Sequence, residues 1–422
     1  MTFDHQDDGK PLIAIVNAYS SANQLAPALL AHGARCVHVR SQEQLLGLHE
    51  ASFRPDDFEA DYTFTGDLEG LAAQLRARGV SQVIAGSEYG VELAESLAGA
   101  HGAPTNDPAT TALRRDKFAM IEALHAAGIP AARQALCRSR SEAEDFAGRV
   151  TGRTVVKPLD SALNDGVFFC DTPQAAAEAC AALLGRRSVY DTPIDAVVVQ
   201  SYLDGEEFYV NTMSRDSVHR VAEIWRTTHV CANGVHNLLD SAILLPAEGG
   251  LQAELRSYAF ACLDALGVTD SPAHLEIRMT REGPRLVELG ARLVGGPLSR
   301  LARLASDDNQ IDAIARAYTA PEAFKRTAAR PYRCAGSVSS TALIARWRGR
   351  LLGYPGLARI EALESYKESI TLLAPGGELQ PTVNDLTYPM MIVLAHGDAA
   401  AVIRDSRTIR LLDDRDFYDL AP

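Results

Sequence analysis

Over the first hundred residues, apolar runs of strand length alternate with amphipathic helical stretches. PLIAIVN (11–17) is a continuous apolar run, and SANQLAPALLAHG follows it with helical spacing and a glycine stop. ARCVHVRS is again strand-like. Helical LEGLAAQLRARG then leads into the strand-like SQVIAGSEYG and the helical VELAESLAGAHG. Strands separated by helices predict βαβ units and a parallel sheet. PATTALRRDKFAMIEALHAAGIP (108–130) opens on proline and closes on Gly-Ile-Pro, which brackets a helix.

The pattern then changes. RTVVKPLD, GVFFCD, AVVVQSYLDG, EEFYVNTMS and RVAEIWRT are short strands at hairpin-like spacings, and they predict a mostly antiparallel sheet. Helical spacing returns at 249–266 and 308–319. After KRTAARPYRC the chain is β-rich again, with Pro-Gly and Gly-Gly turns at 355–356 and 375–377. The fold class is therefore α/β joined to α+β. We divide the chain into a Rossmann-like α/β unit (1–112), a central unit (113–320) and a small C-terminal α+β unit (321–422). No GxGxxG follows the first strand, so the dinucleotide fingerprint is absent.

At 422 residues the chain is too long for one compact core. Its net charge of −13 argues against nucleic acid as the main partner, because phosphate backbones require a basic face. The polar, acidic start MTFDHQDDGK has neither a basic n-region nor an apolar h-region, and no apolar run reaches membrane-spanning length. A cytoplasmic protein without membrane contact is expected. The seven cysteines are scattered and form no CxxC pair, which fits reduced core residues better than a zinc site.

The densest chemistry lies in HLEIRMTREGPRLVELGARLVGG (274–296). If Arg281, Glu282 and Gly283 form a three-residue hairpin loop, Gly283 takes its left-handed position. Pairing then sets Thr280 opposite Pro284, Arg278 opposite Leu286 and Glu276 opposite Glu288. Like charges across a strand pair repel, and a divalent cation bound by both glutamates relieves the conflict. Mg²⁺ suits two carboxylates whose shell is completed by nucleotide phosphates. The competing reading is a pair of solvated glutamates on an exposed hairpin. Arg292 follows four residues after Glu288, where it would meet a phosphoryl group. Gly295 and Gly296 let backbone approach a ligand closely.

Other candidates are spread along the chain. Lys157 ends the apolar run TVVKP, where a lysine either reaches a partner or snorkels to solvent. Lys117 in RRDKFAM, taken alone, reads as an ordinary surface helix lysine. Gln200, Ser201 and Leu203 lie where a buried strand becomes exposed, an edge that would read adenine through its backbone. Glu207 would accept hydrogen bonds from ribose hydroxyls, or be one of a solvated Glu-Glu pair. SALNDGV (161–167), which includes Ser161 and Gly166, is a polar loop whose amides would cover phosphates. Glu88 follows a parallel strand, where open α/β sheets bind ligands, and would touch a substrate amino group. His236 and Asp240 are further substrate candidates, with a structural role the alternative for the histidine.

In order, RRDKFAM, VVKPLDSALNDGV, VQSYLDGEEFYVN, HLEIR, LVELGARLVGG and APGGELQPT resemble the ATP-grasp superfamily along essentially the whole chain. Within it, the resemblance runs to the L-amino acid ligases of dipeptide and peptide-like natural product synthesis. It implies an N-terminal Rossmann-like domain, a central ATP-grasp domain and a C-terminal subdomain completing the module. It implies that Lys117 and Lys157 hold ATP phosphates and that Gln200, Ser201, Leu203 and Glu207 line the adenosine pocket. Glu276 and Glu288 would bind one or two Mg²⁺ ions, with Mn²⁺ able to substitute. Arg292, with Lys157, would act on the transferred phosphoryl group. The implied reaction turns an amino acid carboxylate into an acyl phosphate and couples it to an amine, releasing ADP and phosphate. The implied assembly is a homodimer. Two other classes remain open: a carboxylase or purine-pathway type of ligase using carboxyphosphate, and a degenerate nucleotide-binding regulator. Leu163 and Asn164 replace the Gly-Ser of the SAGSDGV loop in such ligases, and Gly290 stands where many ATP-grasp enzymes carry asparagine.

Overall fold

The computed structural model describes residues 9–42, 51–160, 166–188 and 191–421. The N-terminal unit contains a parallel sheet with Leu12–Val16 between Arg35–Arg40 and Val80–Ala85, and Asp61–Thr63 at the edge. All five residues of Leu12–Val16 are buried. A parallel strand covered on both faces reads as an unbroken apolar run for that reason.

The single helix expected over 108–130 is instead two elements. A 3₁₀ segment, Pro108–Arg114, precedes the α-helix Lys117–Ala126. The break has a local cause. Asp116 takes extended backbone and caps the second helix, accepting from the N–H groups of Phe118 and Ala119 at 2.8 and 2.9 Å. Arg114, fully buried, anchors the first segment by donating to Glu95 (2.8 Å) and to the Leu266 carbonyl (2.8 Å).

Two antiparallel sheets follow, as expected from the hairpin spacings. Gln134–Cys137, Val197–Ser201, Thr154–Pro158 and Phe168–Cys170 form one, in that order. Helices Arg140–Ala147 and Pro173–Leu183 share its core. The other sheet has eight strands among the described residues. Across it run Gly283–Gly290, Pro272–Thr280, Gly205–Arg215, Val218–Ala232, Val235–Leu244, Ser337–Ala342, Met390–His396 and Tyr366–Thr371. Three strands from the C-terminal segment thus extend the sheet that carries the two glutamates. One hydrophobic core runs from Val91 and Leu97 of the first unit to Leu263 and Ile277 of the second. No helix among the described residues is long and apolar enough to cross a membrane.

Candidate active site

Glu276 and Glu288 are cross-strand partners, but the loop that brings them together is not the expected one. The turn leaves only Arg281 and Glu282 between Thr280 and Gly283, which pair directly, while Gly283 has φ of +99°. Pairing from that turn sets Met279 opposite Pro284, Arg278 opposite Arg285 and Ile277 opposite Leu286. Continued unchanged, this register would turn the two glutamates to opposite faces. A bulge at Val287 inserts one residue and restores their pairing. The hairpin register near the loop is therefore corrected, while the carboxylate pair stands.

Both glutamates line a cavity of about 1120 Å³, bordered also by Glu88, Lys117, Lys157 and Arg292. Lys117 Nζ donates to Glu288 at 2.8 Å. Its backbone N–H donates to the Leu159 carbonyl at 3.0 Å, which ties the helix start to the strand carrying Lys157. Burial pulls the Lys157 ammonium down to about 8, with the neighbouring Lys117 charge adding to the effect against the opposing pull of Glu288. Glu276 differs. Burial, then Glu207 and Glu288, push its carboxyl well above the ordinary range. Among the described residues its one ion-pair neighbour is His274, 3.5 Å away. Burial drives that imidazole down to about 3, so it carries no charge to offset the carboxylate.

Among the described residues Glu276 thus has no charged partner at ion-pair distance, and a divalent cation shared with Glu288 fits there. Among the described residues no three His, Cys, Asp or Glu side chains gather as a complete protein-only site. The pair would therefore need oxygens from elsewhere, as Mg²⁺ under nucleotide phosphates has.

Arg292 Nε donates to Glu88 at 2.8 Å, and Arg115 ion-pairs with the same carboxylate and with Asp160 at 2.9 Å. Burial alone would raise the Glu88 carboxyl, but Arg292, Arg115 and Lys117 outweigh it and hold it below the ordinary value. Glu88 sits in the turn after Val80–Ala85, at the carboxyl end of a parallel strand.

Gln200, Ser201, Leu203 and Glu207 also line the cavity. Gln200 Nε2 donates to Gln134 at 2.9 Å, and Ser201 Oγ accepts from the Arg133 N–H at 3.1 Å. Glu207 is buried and accepts from Arg278 Nε at 2.9 Å. Gly295 and Gly296 border the cavity with no atom within 4 Å of where a Cβ would stand.

Three expected residues lie elsewhere, and one falls outside the described residues. Asp240 is the extra residue of a bulge, since Ser241 pairs with Thr228 and Leu239 with His229. It accepts from Arg410 Nε at 2.7 Å and does not line the cavity. His236 lies beside Cys231 on a strand rather than in a loop, and is also outside the lining. Gly166, with φ of +72°, is a packing glycine, because a Cβ there would meet Pro158 and Leu183 at 2.9 Å; its neighbour Val167 faces the cavity. Ser161 lies outside the described residues.

Four cavity or near-cavity residues were not assigned from sequence: His274, Arg278, Tyr209 and Arg115. Two had a readable signal. His274, Glu276 and Arg278 alternate along one strand and so share a face. Tyr209 is set opposite Glu276 only by long-range pairing, and Arg115 meets Glu88 only in the folded chain.

Comparison with known proteins fits this geometry. Residues 115–229 match the ATP-grasp (A) domain model of phosphoribosylglycinamide synthetase. The chain is 28% identical over 430 residues to dapdiamide A synthase of Enterobacter agglomerans, covering 98% of each. Its fold matches the crystal structure of an L-amino acid ligase from Bacillus licheniformis with a TM-score of 0.74 at 16% identity, over 98% of this chain and 99% of that one. It also matches the ADP complex of N5-carboxyaminoimidazole synthetase from Staphylococcus aureus with a TM-score of 0.66 at 12% identity, over 96% and 98%. The chain thus has the ATP-grasp fold, with an ATP-grasp domain match over residues 115–229, and is similar along its whole length to a ligase of that kind.

Proposed function

We propose that this enzyme uses ATP to join an amino acid carboxylate to the amine of a second amino acid. The observation that carries the reading is the convergence of Lys117, Lys157, Glu276, Glu288 and Arg292 on one cavity. The full-length relative named for dapdiamide A and the structural relative named as an L-amino acid ligase support the substrate class. The ADP-bound relative supports the nucleotide.

In this reading Gln200, Ser201, Leu203 and Glu207 receive the adenosine, and Lys117 and Lys157 the phosphates. Mg²⁺ held by Glu276 and Glu288 would neutralise charge on the phosphoryl oxygens. A carboxylate oxygen attacks the γ-phosphorus and the bond to the bridging oxygen breaks, giving an acyl phosphate and ADP. Arg292, held by Glu88, stabilises charge on the moving phosphoryl group. The amine then attacks the acyl carbon and phosphate leaves with the bonding pair. Glu88 is already engaged by two arginines, so its role is better read as orienting Arg292 than as receiving a substrate ammonium. The protein acts as a soluble cytoplasmic enzyme, assembled as a homodimer.

Phosphate release from ATP and Mg²⁺, run against single amino acids and pairs with mass spectrometry of products, tests this. Release with certain pairs and a product mass equal to their sum minus water is expected. Release that requires bicarbonate and gives no such product would overturn it in favour of carboxyphosphate chemistry.

A further inference from the structure

One face of the eight-stranded sheet floors the cavity, and its polarity changes across the sheet. On the strands that carry Glu276, Glu288 and Tyr209 the floor is charged and polar. On the far strands it is apolar, with Leu239, Ala242, Met391 and Ile370. The bulge at Asp240 is what keeps Ala242 on the cavity face after Leu239, three residues rather than two further on. Leu372 and Leu386 are 53% and 57% exposed, and both border the cavity. Large aliphatic side chains left in water at the rim of a cavity mark a binding surface.

A second observation is independent of the apolar lining. Ser340 is 1% exposed, its Oγ has no hydrogen-bond partner, and it borders the cavity among these apolar groups. Its neighbours on the strand are satisfied, since Thr341 meets Ser406 at 2.9 Å and Ser339 at 3.2 Å. A buried hydroxyl without a partner is costly, and a bound ligand would supply the missing partner. Tyr209 links this end to the carboxylate pair, since it stands opposite Glu276 and lines the same cavity.

We propose that the far end of the cavity is a specificity pocket for a branched aliphatic or aromatic amino acid side chain. Ser340 Oγ hydrogen-bonds a polar atom of that same substrate. The inference rests on the amino acid ligase reading for the identity of its occupant, though not for the existence of the pocket.

The test uses the whole enzyme with Mg²⁺ and a non-hydrolysable ATP analogue. Calorimetry compares leucine and phenylalanine with serine and aspartate, on wild type, Leu386→Asp and Ser340→Ala. Leu386 is exposed, so Leu386→Asp leaves the core intact, and Ser340→Ala removes only the hydroxyl. Wild type should bind the apolar amino acids at least ~10-fold more tightly than the polar ones; Leu386→Asp should lose most of that ratio, and Ser340→Ala should weaken every amino acid, neither altering affinity for the analogue. Equal affinities in wild type, a ratio that Leu386→Asp leaves untouched, or amino acid binding that Ser340→Ala leaves untouched would overturn the pocket as described. If the preference is present but no pair of amino acids yields an amide, the pocket stands and the ligase reading falls. If amides form without preference for apolar side chains, the pocket falls and the ligase reading stands.

Discussion

Glu88 and Arg292 are 204 positions apart in sequence and meet at 2.8 Å, and Gly290 makes that meeting possible. A Cβ on residue 290 would stand 2.6 Å from Glu88 Oε2 and 3.4 Å from Arg292 Nε. The glycine that replaces the asparagine of many ATP-grasp enzymes thus makes room for a carboxylate that reaches in from the N-terminal unit. Gly290→Ala should push Glu88 off Arg292 and lower kcat by about 10²-fold, the scale of one misplaced stabilising donor. Glu88→Ala should do the same, and adding Gly290→Ala to it should cost little more, because the two act through one contact. Additive losses in steady-state rates would show that the glycine acts elsewhere.

Glu288 serves two partners, the Lys117 ammonium at 2.8 Å and, in our reading, the metal. Glu288→Gln keeps the shape but removes the charge that both need. Turnover should fall by at least ~10²-fold while circular dichroism stays native. A variant that turns over at near wild-type rate would sink the metal assignment.

The same assignment predicts dependence on a divalent cation. EDTA should abolish ATP turnover, and either Mg²⁺ or Mn²⁺ should restore it. Binding supplies a readout that does not need catalysis. Mn²⁺ titrated by paramagnetic resonance should bind Glu276→Gln and Glu288→Gln at least ~10-fold more weakly, since even outer partners of a metal matter that much. Undiminished Mn²⁺ binding by both variants would place the cation at other residues.

How much of this was legible in the sequence depended on range. The buried parallel strand at 12–16 and the helices near 250–265 and 310–319 follow from local periodicity. The pairing of Glu276 with Glu288 was anticipated through the wrong loop. A shorter turn and a bulge at Val287 cancel in register, and no apolar pattern distinguishes that combination from a longer turn. Asp240 is held away from the cavity by Arg410, 170 positions later in the chain, a contact that no local pattern shows. The arginines on Glu88 had no sequence signal, because their contacts depend on how the first unit docks on the second.

Gly295 offers a test of cavity shape that spares the fold. A Cβ there meets nothing within 4 Å, and the residue borders the cavity. Gly295→Leu should fold normally and lower kcat/KM for bulky substrates by about 10-fold or more, with small substrates less affected. Equal losses for all substrates would mean that the loop moves rather than that the cavity narrows.

Asp116 links stability to the nucleotide site. It caps the helix whose first residue is Lys117, so the cap fixes where that ammonium stands. Asp116→Ala removes acceptors for two backbone N–H groups and should cost about 1 kcal/mol. In a chain of this size that is a fall in Tm of only a few degrees, on the order of 2–4 °C. A loss confined to stability would leave KM for ATP unchanged. Because the cap also sets Lys117 against Glu288, KM for ATP should rise as well, and Asp116→Asn, which keeps the capping oxygen, should restore both. Tm and KM moving together across the two variants would identify the cap as a positioning residue for the phosphate-binding lysine. A changed Tm with an unchanged KM would confine Asp116 to holding the helix.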